Sequence, residues 1–302
     1  MTRVLERLPA GARVLVVRLR SLGDCVLTTP ALALLKAGRP DLRVGVVVED
    51  RFAAVFEGNP DVDEVLAPSI SAVRRWHPAL AVDLHGGPRA RLVTLLSGAE
   101  TSATFADRLH ALLYDIRIPT AQEILGVARK VHTAEHLAAA MIYLGAPRHE
   151  VPPARVVARP MASEGPQAVI HAFATGAGKA WPAACFVQAA RYLRERGVEP
   201  VFIGSAQDDF SPFEGFRRMA GAPLGEVKRL LAGDRLFLGN DSGTAHLAAA
   251  LGVPAVVIFG ASDPEIWGPW RARAEVIVAR GRIESVSPAE VFDAVERLRV
   301  AA

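Results

Sequence analysis

The feature that most constrains the fold is an alternation of short apolar, β-branched runs with amphipathic segments, which occurs in both halves of the 302 residues. In the first half, the runs predicted as strands are 13–19, 43–48, 64–67 and 80–84. The segments predicted as helices are 29–37, 51–56, 89–96 and 132–144. Strands that alternate with helices along a chain form parallel βαβ units. The first half therefore predicts a doubly wound α/β domain over residues 1–150.

A proline-rich stretch separates the two halves. Five prolines lie between residues 147 and 166 with little apolar periodicity, which predicts a semi-rigid linker over 151–166. A second α/β domain is predicted over 167–285, with strands at 168–173, 200–203, 235–238, 255–259 and 275–279 and helices at 183–196, 224–231 and 244–251. A capping box at Ser287 predicts a C-terminal helix within 286–302, running to about Arg299. No clear strand is predicted between Phe213 and Leu231, so this segment is interpreted as compressed.

Charge and hydropathy exclude several classes of protein. The net charge is +3, and residues 1–160 carry 20 Lys and Arg against 16 Asp and Glu. This excess is too small and too dispersed to predict a nucleic-acid surface. It suits an anionic substrate or a membrane surface, and it equally suits ordinary solvation of arginine. The longest apolar stretch, 247–261, is shorter than a membrane span and contains Gly252 and Pro254.

Cysteine usage and the first residues point to a cytoplasmic protein. Cys25 and Cys185 are far apart and show no disulfide framework or zinc-ligand spacing. Charged residues and a proline occupy the first eleven positions, where a signal peptide needs an apolar run. We therefore expect no export.

Asp24 stands directly after the first predicted strand. The carboxyl ends of parallel strands are where open α/β sheets bind ligands, and two such domains are expected to face each other across a cleft. Asp24 could cap the helix that follows, because an aspartate accepts hydrogen bonds from free backbone N–H groups. It could instead act on a ligand. The position alone leaves both interpretations open.

A second turn of small residues follows the strand predicted at 235–238. In Gly239-Asn-Asp-Ser-Gly-Thr-Ala-His246, the N–H groups of Ser242, Gly243 and Thr244 would open a helix and form an anion site. Asp241 could cap this helix, and His246 could be a buried structural histidine. The capping role for Asp241 and the structural role for His246 are about as well supported by the sequence as contact of these residues with a ligand.

The loop 174–180 superficially resembles a phosphate-binding loop. It lacks the Walker pattern, because Phe173 stands where that pattern needs glycine and Ala180 stands where it needs serine or threonine. Lys179 is nevertheless one of only four lysines beside 31 arginines, and a diphosphate partner suits it. A solvated lysine is the alternative.

Two other motifs are weaker. The turn after the first strand contains only Gly23, so the dinucleotide fingerprint is absent and a dehydrogenase is disfavoured. His132, Glu135 and His136 match the HxxEH pattern of inverted zincins, which leaves a zinc hydrolase as a minor alternative.

The motifs in their order along the chain resemble one enzyme family. They are Arg18-Leu-Arg-Ser-Leu-Gly-Asp24, Thr29-Pro-Ala-Leu32, Val82-Asp-Leu-His85, Lys179-Ala-Trp-Pro182, Gly239-Asn-Asp-Ser-Gly-Thr-Ala-His-Leu-Ala-Ala-Ala250 and Gly260-Ala-Ser-Asp-Pro264. Together they resemble glycosyltransferase family 9, which contains the ADP-heptose:lipopolysaccharide heptosyltransferases. The resemblance extends over nearly the whole chain. It implies a GT-B fold of two Rossmann-like domains around a central cleft, with the acceptor bound by the first domain and the nucleotide sugar by the second.

The resemblance also implies a reaction and its residues. The family inverts the anomeric centre by direct displacement, and Asp24 matches its proposed general base. Lys179 would stabilise the leaving diphosphate, so no metal or other cofactor is obligatory. The predicted donor contacts are Thr175, Lys179, Asp208, Asp241, Ser242, Gly243, Thr244 and His246, with Asp209 as the alternative to Asp208. The predicted acceptor contacts are Arg18, Arg20, Arg89 and Arg91, which suit an anionic, lipid-linked saccharide at the inner face of the inner membrane.

Other functions remain open beside this one. The same fold could transfer a different sugar from another nucleotide diphosphate. It could also be a catalytically silent module that binds a nucleotide, an alternative that the compressed segment 213–231 supports. Donor profiling separates these possibilities from ADP-heptose transfer.

Overall fold

The computed structural model describes residues 3–163, 165–176 and 178–298. The chain divides into two compact units, Met1–Val157 and Ala158–Ala302. The described residues between 146 and 166 form no helix or strand. Among the described residues, no helix combines the length and the apolar composition needed to span a membrane.

The first unit is a parallel sheet of six strands in the order β3-β2-β1-β4-β5-β6, flanked by helices. Its strands are β1 (Arg13–Val17), β2 (Arg43–Val47), β3 (Glu64–Leu66), β4 (Leu80–Asp83), β5 (Thr101–Phe105) and β6 (Ile116–Ile118). Its helices are α1 (Val4–Arg7), α2 (Leu22–Gly38), α3 (Ile70–Trp76), α4 (Pro88–Leu95), α5 (Ala121–Leu125) and α6 (Thr133–Leu144). This strand order is that of a Rossmann domain.

Helix α2 lies deep in the first unit. Most of its residues between Gly23 and Leu35 are buried, and its main helical neighbour is α6. Pro30 lies inside α2 and has no N–H to donate to Val26 O. The Thr29 hydroxyl supplies a donor instead, with 2.8 Å between Thr29 Oγ1 and Val26 O. The helix therefore continues through its proline.

The second unit is also a parallel six-stranded sheet, in the order β12-β11-β10-β7-β8-β9. Its strands are β7 (Gln167–His171), β8 (Glu199–Gly204), β9 (Arg217–Ala220), β10 (Leu236–Asn240), β11 (Ala255–Phe259) and β12 (Ala274–Val278). Its helices are α7 (Ala183–Glu195), α8 (Leu224–Leu231), α9 (Gly243–Ala250), α10 (Pro264–Trp267) and α11 (Pro288–Arg297). Numbered within the unit, the strands repeat the Rossmann order of the first.

The prediction that no strand lies between Phe213 and Leu231 is wrong. Strand β9 lies there and pairs in parallel with β8, from Val201 opposite Arg217 to Gly204 opposite Ala220. Its sequence, Arg-Arg-Met-Ala, is mostly exposed at the edge of the sheet, so it lacks the buried β-branched pattern from which strands were predicted. The second domain therefore has a complete six-stranded sheet, and this support for a silent module disappears.

The type of one predicted helix and the start of another also differ from the predictions, and the segment predicted as a helix at 51–56 is a 3-10 helix, Asp50–Val55. Helix α2 begins at Leu22 instead of residue 29. The described part of the C-terminal helix α11 ends at Arg297, and its predicted end near Arg299 lies outside the described residues. The early start of α2 changes the environment of Asp24.

Candidate functional site

Each sheet has one point where its strand order changes direction, and open α/β sheets bind ligands beyond the carboxyl ends of the strands at that point. In the first unit the two strands are β1 and β4, and in the second they are β7 and β10. We call the described residues that follow them the first switch point, 18–24 with 84–87, and the second switch point, 172–176 and 178–181 with 241–243.

Arg18 joins the two segments of the first switch point. Its side chain is buried, and its guanidinium donates to Leu84 O and pairs with Asp24 Oδ1. The sequence predicts Arg18 as an acceptor contact. In the structure its guanidinium holds Asp24 and the segment after β4 in place.

Asp24 lies in the first turn of α2 and not ahead of the helix, because α2 begins at Leu22 instead of the predicted residue 29. Its Oδ2 accepts hydrogen bonds from Ser21, at 3.2 Å from the backbone N and 2.9 Å from Oγ. The side chain keeps 21% of its surface exposed. Asp24 therefore stabilises the helix start and still presents a fixed, accessible carboxylate.

A buried carboxylate, Asp83, organises the β4 side of the first switch point. Its Oδ1 accepts from the backbone N–H groups of His85 and Gly86, at 2.9 and 2.8 Å. Its Oδ2 accepts from the Tyr114 hydroxyl at 2.7 Å. Burial and the neighbouring Asp83 raise the pKa of Tyr114, so the hydroxyl keeps its proton and donates.

His85 completes this edge of the first unit. Burial, and then the positive charge of Arg18, lower its pKa from the usual value. The imidazole is therefore neutral at pH 7. Asp83 and Tyr114 are not among the residues predicted from the sequence, although an aspartate at the end of a buried strand is a signal for Asp83.

The other predicted acceptor arginines lie on the same side of the first sheet. Arg20 follows β1, and Arg89 and Arg91 lie in α4, which follows β4. Arg20 and Arg89 are exposed, whereas Arg91 is half-buried and its charge acts on Tyr114. The two exposed side chains are therefore free to reach an anionic ligand.

At the second switch point, helix α9 begins at Gly243 with Ser242 as its N-cap. Ser242 Oγ accepts from the backbone N of Ala245 at 3.4 Å. The alternative in which Asp241 caps this helix is therefore wrong. The first N–H groups of a helix have no partners within it and bind anions, as expected for Gly243 and Thr244. His246 lies in the next turn and is buried.

Lys179 and Asp241 meet at the second switch point. Lys179 Nζ lies 3.3 Å from Asp241 Oδ2, and the two side chains are 35% and 12% exposed. The sequence placed them on separate loops, and the folded sheet brings them together beside the start of α9. Because an ammonium has three donors, Lys179 can pair with Asp241 and still donate to a ligand.

Asn240 fixes both ends of the loop that carries Lys179. It is fully buried at the end of β10. Its Nδ2 donates to Ala172 O at 3.0 Å, and its Oδ1 accepts from Trp181 N at 3.0 Å. Ala172 precedes the loop and Trp181 follows it. Asn240 belongs to the motif that begins at the end of β10, but the sequence alone does not predict this role for it.

Asp208 and Thr175 also lie beyond the ends of second-unit strands. Asp208 Oδ2 accepts from Ser205 N at 2.6 Å, whereas Asp209 Oδ1 accepts from Ser211 N at 2.9 Å. Asp208 acts electrostatically on His171 at the end of β7, where burial lowers the histidine pKa to about 4 despite the carboxylate. Thr175 is exposed in the loop after β7. Asp208 therefore lies near the end of β7.

The HxxEH residues have structural partners. His132 is the N-cap of α6, and its Nδ1 accepts from Ala134 N at 3.1 Å. Glu135 pairs with Arg129, and His136 stacks on Phe105 with 4.1 Å between ring centroids. Among the residues that the structure describes, no group of three or more His, Cys, Asp or Glu side chains is placed to hold a metal ion.

Comparison with known proteins decides the family. The model of glycosyltransferase family 9 (heptosyltransferase) matches residues 80–290, more than half of the chain. The chain belongs to glycosyltransferase family 9. The predicted family is confirmed, and the chain is a glycosyltransferase.

Relatives of this family 9 chain agree in length and fold. Lipopolysaccharide heptosyltransferase 1 of Salmonella typhimurium is 27% identical, over 85% of this chain and 90% of the relative. The family 9 structure from Veillonella parvula DSM 2008 has a TM-score of 0.83 at 20% identity, over 95% of this chain and 97% of that one. E. coli heptosyltransferase WaaC with ADP has a TM-score of 0.79 at 21% identity, over 95% and 99%. The predicted GT-B class is confirmed.

The family 9 match does not cover the two switch points equally. It begins at residue 80, so it includes the whole second switch point and only the β4 side of the first. Arg18 and Asp24 precede the matched region. The match therefore supports no role for either residue, and their proposed roles rest on the contacts described above.

Proposed function

We propose that this glycosyltransferase moves a heptose from ADP-heptose to a hydroxyl of a lipopolysaccharide core acceptor, with inversion at the anomeric carbon. The sugar and the nucleotide are supported by the Salmonella relative and by WaaC, whose structure is described with ADP. The observation that carries the proposal is the position of Lys179 beside Asp241 and the start of α9 at the second switch point. This arrangement suits a diphosphate.

The second unit would bind the donor. The N–H groups of Ser242, Gly243 and Thr244 and the ammonium of Lys179 would contact the diphosphate, whose charge grows as it leaves. Asp241, His246, Asp208 and Thr175 are proposed as further donor contacts. Because Lys179 and the N–H groups at the start of α9 supply the positive charge, the proposed reaction requires no metal.

The first unit would bind the acceptor and supply the base. The acceptor oxygen attacks the anomeric carbon, the bond from that carbon to the diphosphate oxygen breaks, and ADP departs. The hydroxyl proton goes to Asp24. A carboxylate has about four lone-pair sites, and Arg18 and Ser21 leave room for this proton. We propose Arg18 as the positioning residue for Asp24.

The exposed arginines suit an anionic acceptor. Arg20 and Arg89, with Arg91 behind them, are proposed to contact phosphate groups on the core saccharide. The acceptor would be lipid-linked and the donor a nucleotide sugar, so we place the protein at the cytoplasmic face of a membrane. Both cysteines are free thiols, as that compartment favours.

A coupled assay tests the proposal. The purified protein is incubated with ADP-heptose and a core acceptor, ADP release is measured, and the anomeric configuration of the product is determined by NMR. We expect ADP release that depends on the acceptor, and an inverted linkage. Retention would contradict the displacement, preference for another nucleotide sugar would indicate a different donor, and ADP binding without turnover would indicate a silent module.

A further inference from the structure

Three leucines of the first unit are unusually exposed. Leu109, Leu112 and Leu113 are 80%, 81% and 60% exposed. They are the three most exposed of the large apolar side chains that the structure describes; the others range from 37% to 52%. Isolated exposed leucines are ordinary, but three within five positions form a patch. We call them the leucine surface.

The leucine surface rests on an anchored segment. Residues 111–113 form a single 3-10 turn, in which Ala111 is buried. Tyr114 follows, also buried, with its hydroxyl bound to Asp83 at 2.7 Å. Because the residues beneath are packed and bonded, the leucines project from a fixed support.

Basic side chains surround the leucine surface. The segment lines an open hollow of about 830 Å³, whose walls include Arg108, His110 and Arg117 together with the three leucines. Arg108 packs over Gly86, where an added Cβ would lie 2.8 Å from its Cδ. Its buried Nε donates no hydrogen bond.

The acidic groups of the segment leave these cations available. Asp107 lies 4.0 Å from Arg108 Nε, at the limit of an ion pair. The Asp115 carboxylate instead accepts from Ser102, at 2.8 Å from N and 2.7 Å from Oγ. The rim thus carries two arginines and His110 against one exposed carboxylate, Asp107, and this apolar centre with a positive balance is complementary to the surface of an anionic bilayer.

The position of the segment agrees with such a role. It follows β5 at the carboxyl edge of the first sheet, the edge that carries Asp24 and Arg20. Three leucines at these exposures offer roughly 400 Å², whereas a stable dimer buries about 800 Å² per partner. A bilayer needs no such area, because each leucine enters it independently.

We propose that the leucine surface, with Arg108 and Arg117, docks the first unit on an anionic phospholipid bilayer. The leucines enter the boundary between headgroups and acyl chains, and the guanidinium groups bind lipid phosphates. The benefit of docking rests on the proposed function, in which the acceptor is lipid-linked. Docking would hold the enzyme where its acceptor is concentrated.

Vesicle co-sedimentation without donor or acceptor tests the docking. The full chain is mixed with vesicles of phosphatidylglycerol and phosphatidylethanolamine, or of phosphatidylcholine alone. We expect binding to the anionic vesicles and a loss of about tenfold or more in the triple variant Leu109→Ser, Leu112→Ser, Leu113→Ser. The control variant Val276→Ser, Val278→Ser removes two exposed apolar side chains of β12 and should bind as the wild type does. Arg108→Gln with Arg117→Gln should remove the preference for anionic vesicles.

Three results would overturn the docking. They are absence of wild-type binding to anionic vesicles, unchanged binding by the triple variant, and a leucine-dependent dimer without vesicle binding. Thermal unfolding checks that each variant is folded. Turnover of ADP-heptose with a lipid-free core saccharide is measured separately and should be unchanged in the triple variant. Vesicle binding without turnover would therefore contradict the proposed function and leave the docking intact.

Discussion

The two switch points occupy equivalent positions in sheets of the same strand order, yet they present different groups. The first presents carboxylates held by other side chains, with Asp24 paired to Arg18 and Asp83 bound to Tyr114. The second presents the start of α9 and the ammonium of Lys179, which is paired with the Asp241 carboxylate. The fold determines where ligands bind, and the residues after each strand determine which chemistry occurs there.

This difference indicates a division of labour. A carboxylate with fixed orientation suits removal of a proton from a hydroxyl. Free backbone N–H groups and an ammonium suit a leaving diphosphate. A change at the first switch point should therefore alter turnover more than donor binding, and a change at the second should alter donor binding.

The largest expected effect comes from Asp24→Asn. An asparagine keeps an oxygen for the Ser21 hydrogen bonds but loses the ion pair with Arg18 and is no general base, so kcat should fall about 10²–10⁴-fold. The Kd for ADP should remain within about twofold, because the donor groups are untouched. Initial rates and isothermal titration measure the two quantities.

Glu123→Gln is the matched control for Asp24→Asn. Glu123 occupies the same position in α5, where its Oε2 accepts from Thr120 N at 2.8 Å and Thr120 Oγ1 at 2.7 Å. Its substitution changes a comparable capping box away from the switch point, and turnover should be unaffected. Normal turnover in Asp24→Asn would show that Asp24 is not the base and would contradict the division of labour between the two switch points.

The next effect is expected from Asn240→Ala. The substitution leaves Trp181 N and Ala172 O without their partners inside the protein, which should lower the free energy of unfolding by about 2–4 kcal/mol. ADP should also bind more weakly, because the loop that carries Lys179 loses both of its ties. Chemical denaturation and titration with ADP measure these changes.

Asn59→Ala, in the first unit, is the control that separates a loss of ADP affinity from a loss of stability. Asn59 is buried, donates to Arg155 O at 3.0 Å and accepts from Asp61 N at 2.9 Å. It should destabilise the protein to a similar extent with no change in ADP affinity. Equal losses of affinity in both variants would mean that Asn240 acts only through general stability.

Lys179→Met should weaken ADP binding by about 10–100-fold, as expected for loss of one charge-assisted contact with a phosphate. The wild-type affinity should also depend more strongly on salt than that of the variant. Lys36→Met is the control, since Lys36 forms a similar pair with Asp63, at 2.7 Å, in the first unit. If both lysine variants bind ADP as the wild type does, Lys179 has no part in donor binding.

Local sequence patterns predicted most of the fold for a physical reason. Strands such as β1, β10 and β11 are buried on both faces and therefore consist of continuous apolar runs. Strands β5, β6 and β9 were not predicted, because threonine, serine and arginine interrupt that pattern. The order of the strands in each sheet could not be predicted from local patterns either, because it depends on contacts between distant residues.

The candidate sites show the same limit. The positions of Asp24 and Lys179 after strands indicated a role at the edge of each sheet. The pairing of Asp24 with Arg18, and of Lys179 with Asp241, depends on how neighbouring strands end. The clamp by Asn240 likewise spans 68 positions to Ala172. Such partners become visible only in the folded sheet.

The smallest expected effect is a difference in pH dependence between two aspartates that precede strands. Asp234 precedes β10, and burial raises its pKa to about 7. Asp115 precedes β6, and hydrogen bonds from Ser102 lower its pKa. The contribution of Asp234 to the free energy of unfolding is present below pH ~4 and is lost as the pH rises towards ~7. The contribution of Asp115 is present above pH ~4 and is lost as the pH falls.

Thermal unfolding of Asp234→Asn and Asp115→Asn between about pH 2 and pH 8 checks these opposite signs, because the Asp234 contribution changes above pH ~4 and the Asp115 contribution changes below it. The full shift at Asp234 corresponds to about 4 kcal/mol, and partial exposure reduces this, so we expect Asp234→Asn to stabilise by on the order of 1–2 kcal/mol at pH 8. At pH 4 that gain should disappear. Asp115→Asn should instead destabilise at pH 8 and become less harmful as the pH falls. Parallel pH profiles for the two variants would contradict the prediction that burial at Asp234 and hydrogen bonding at Asp115 shift the two pKa values in opposite directions.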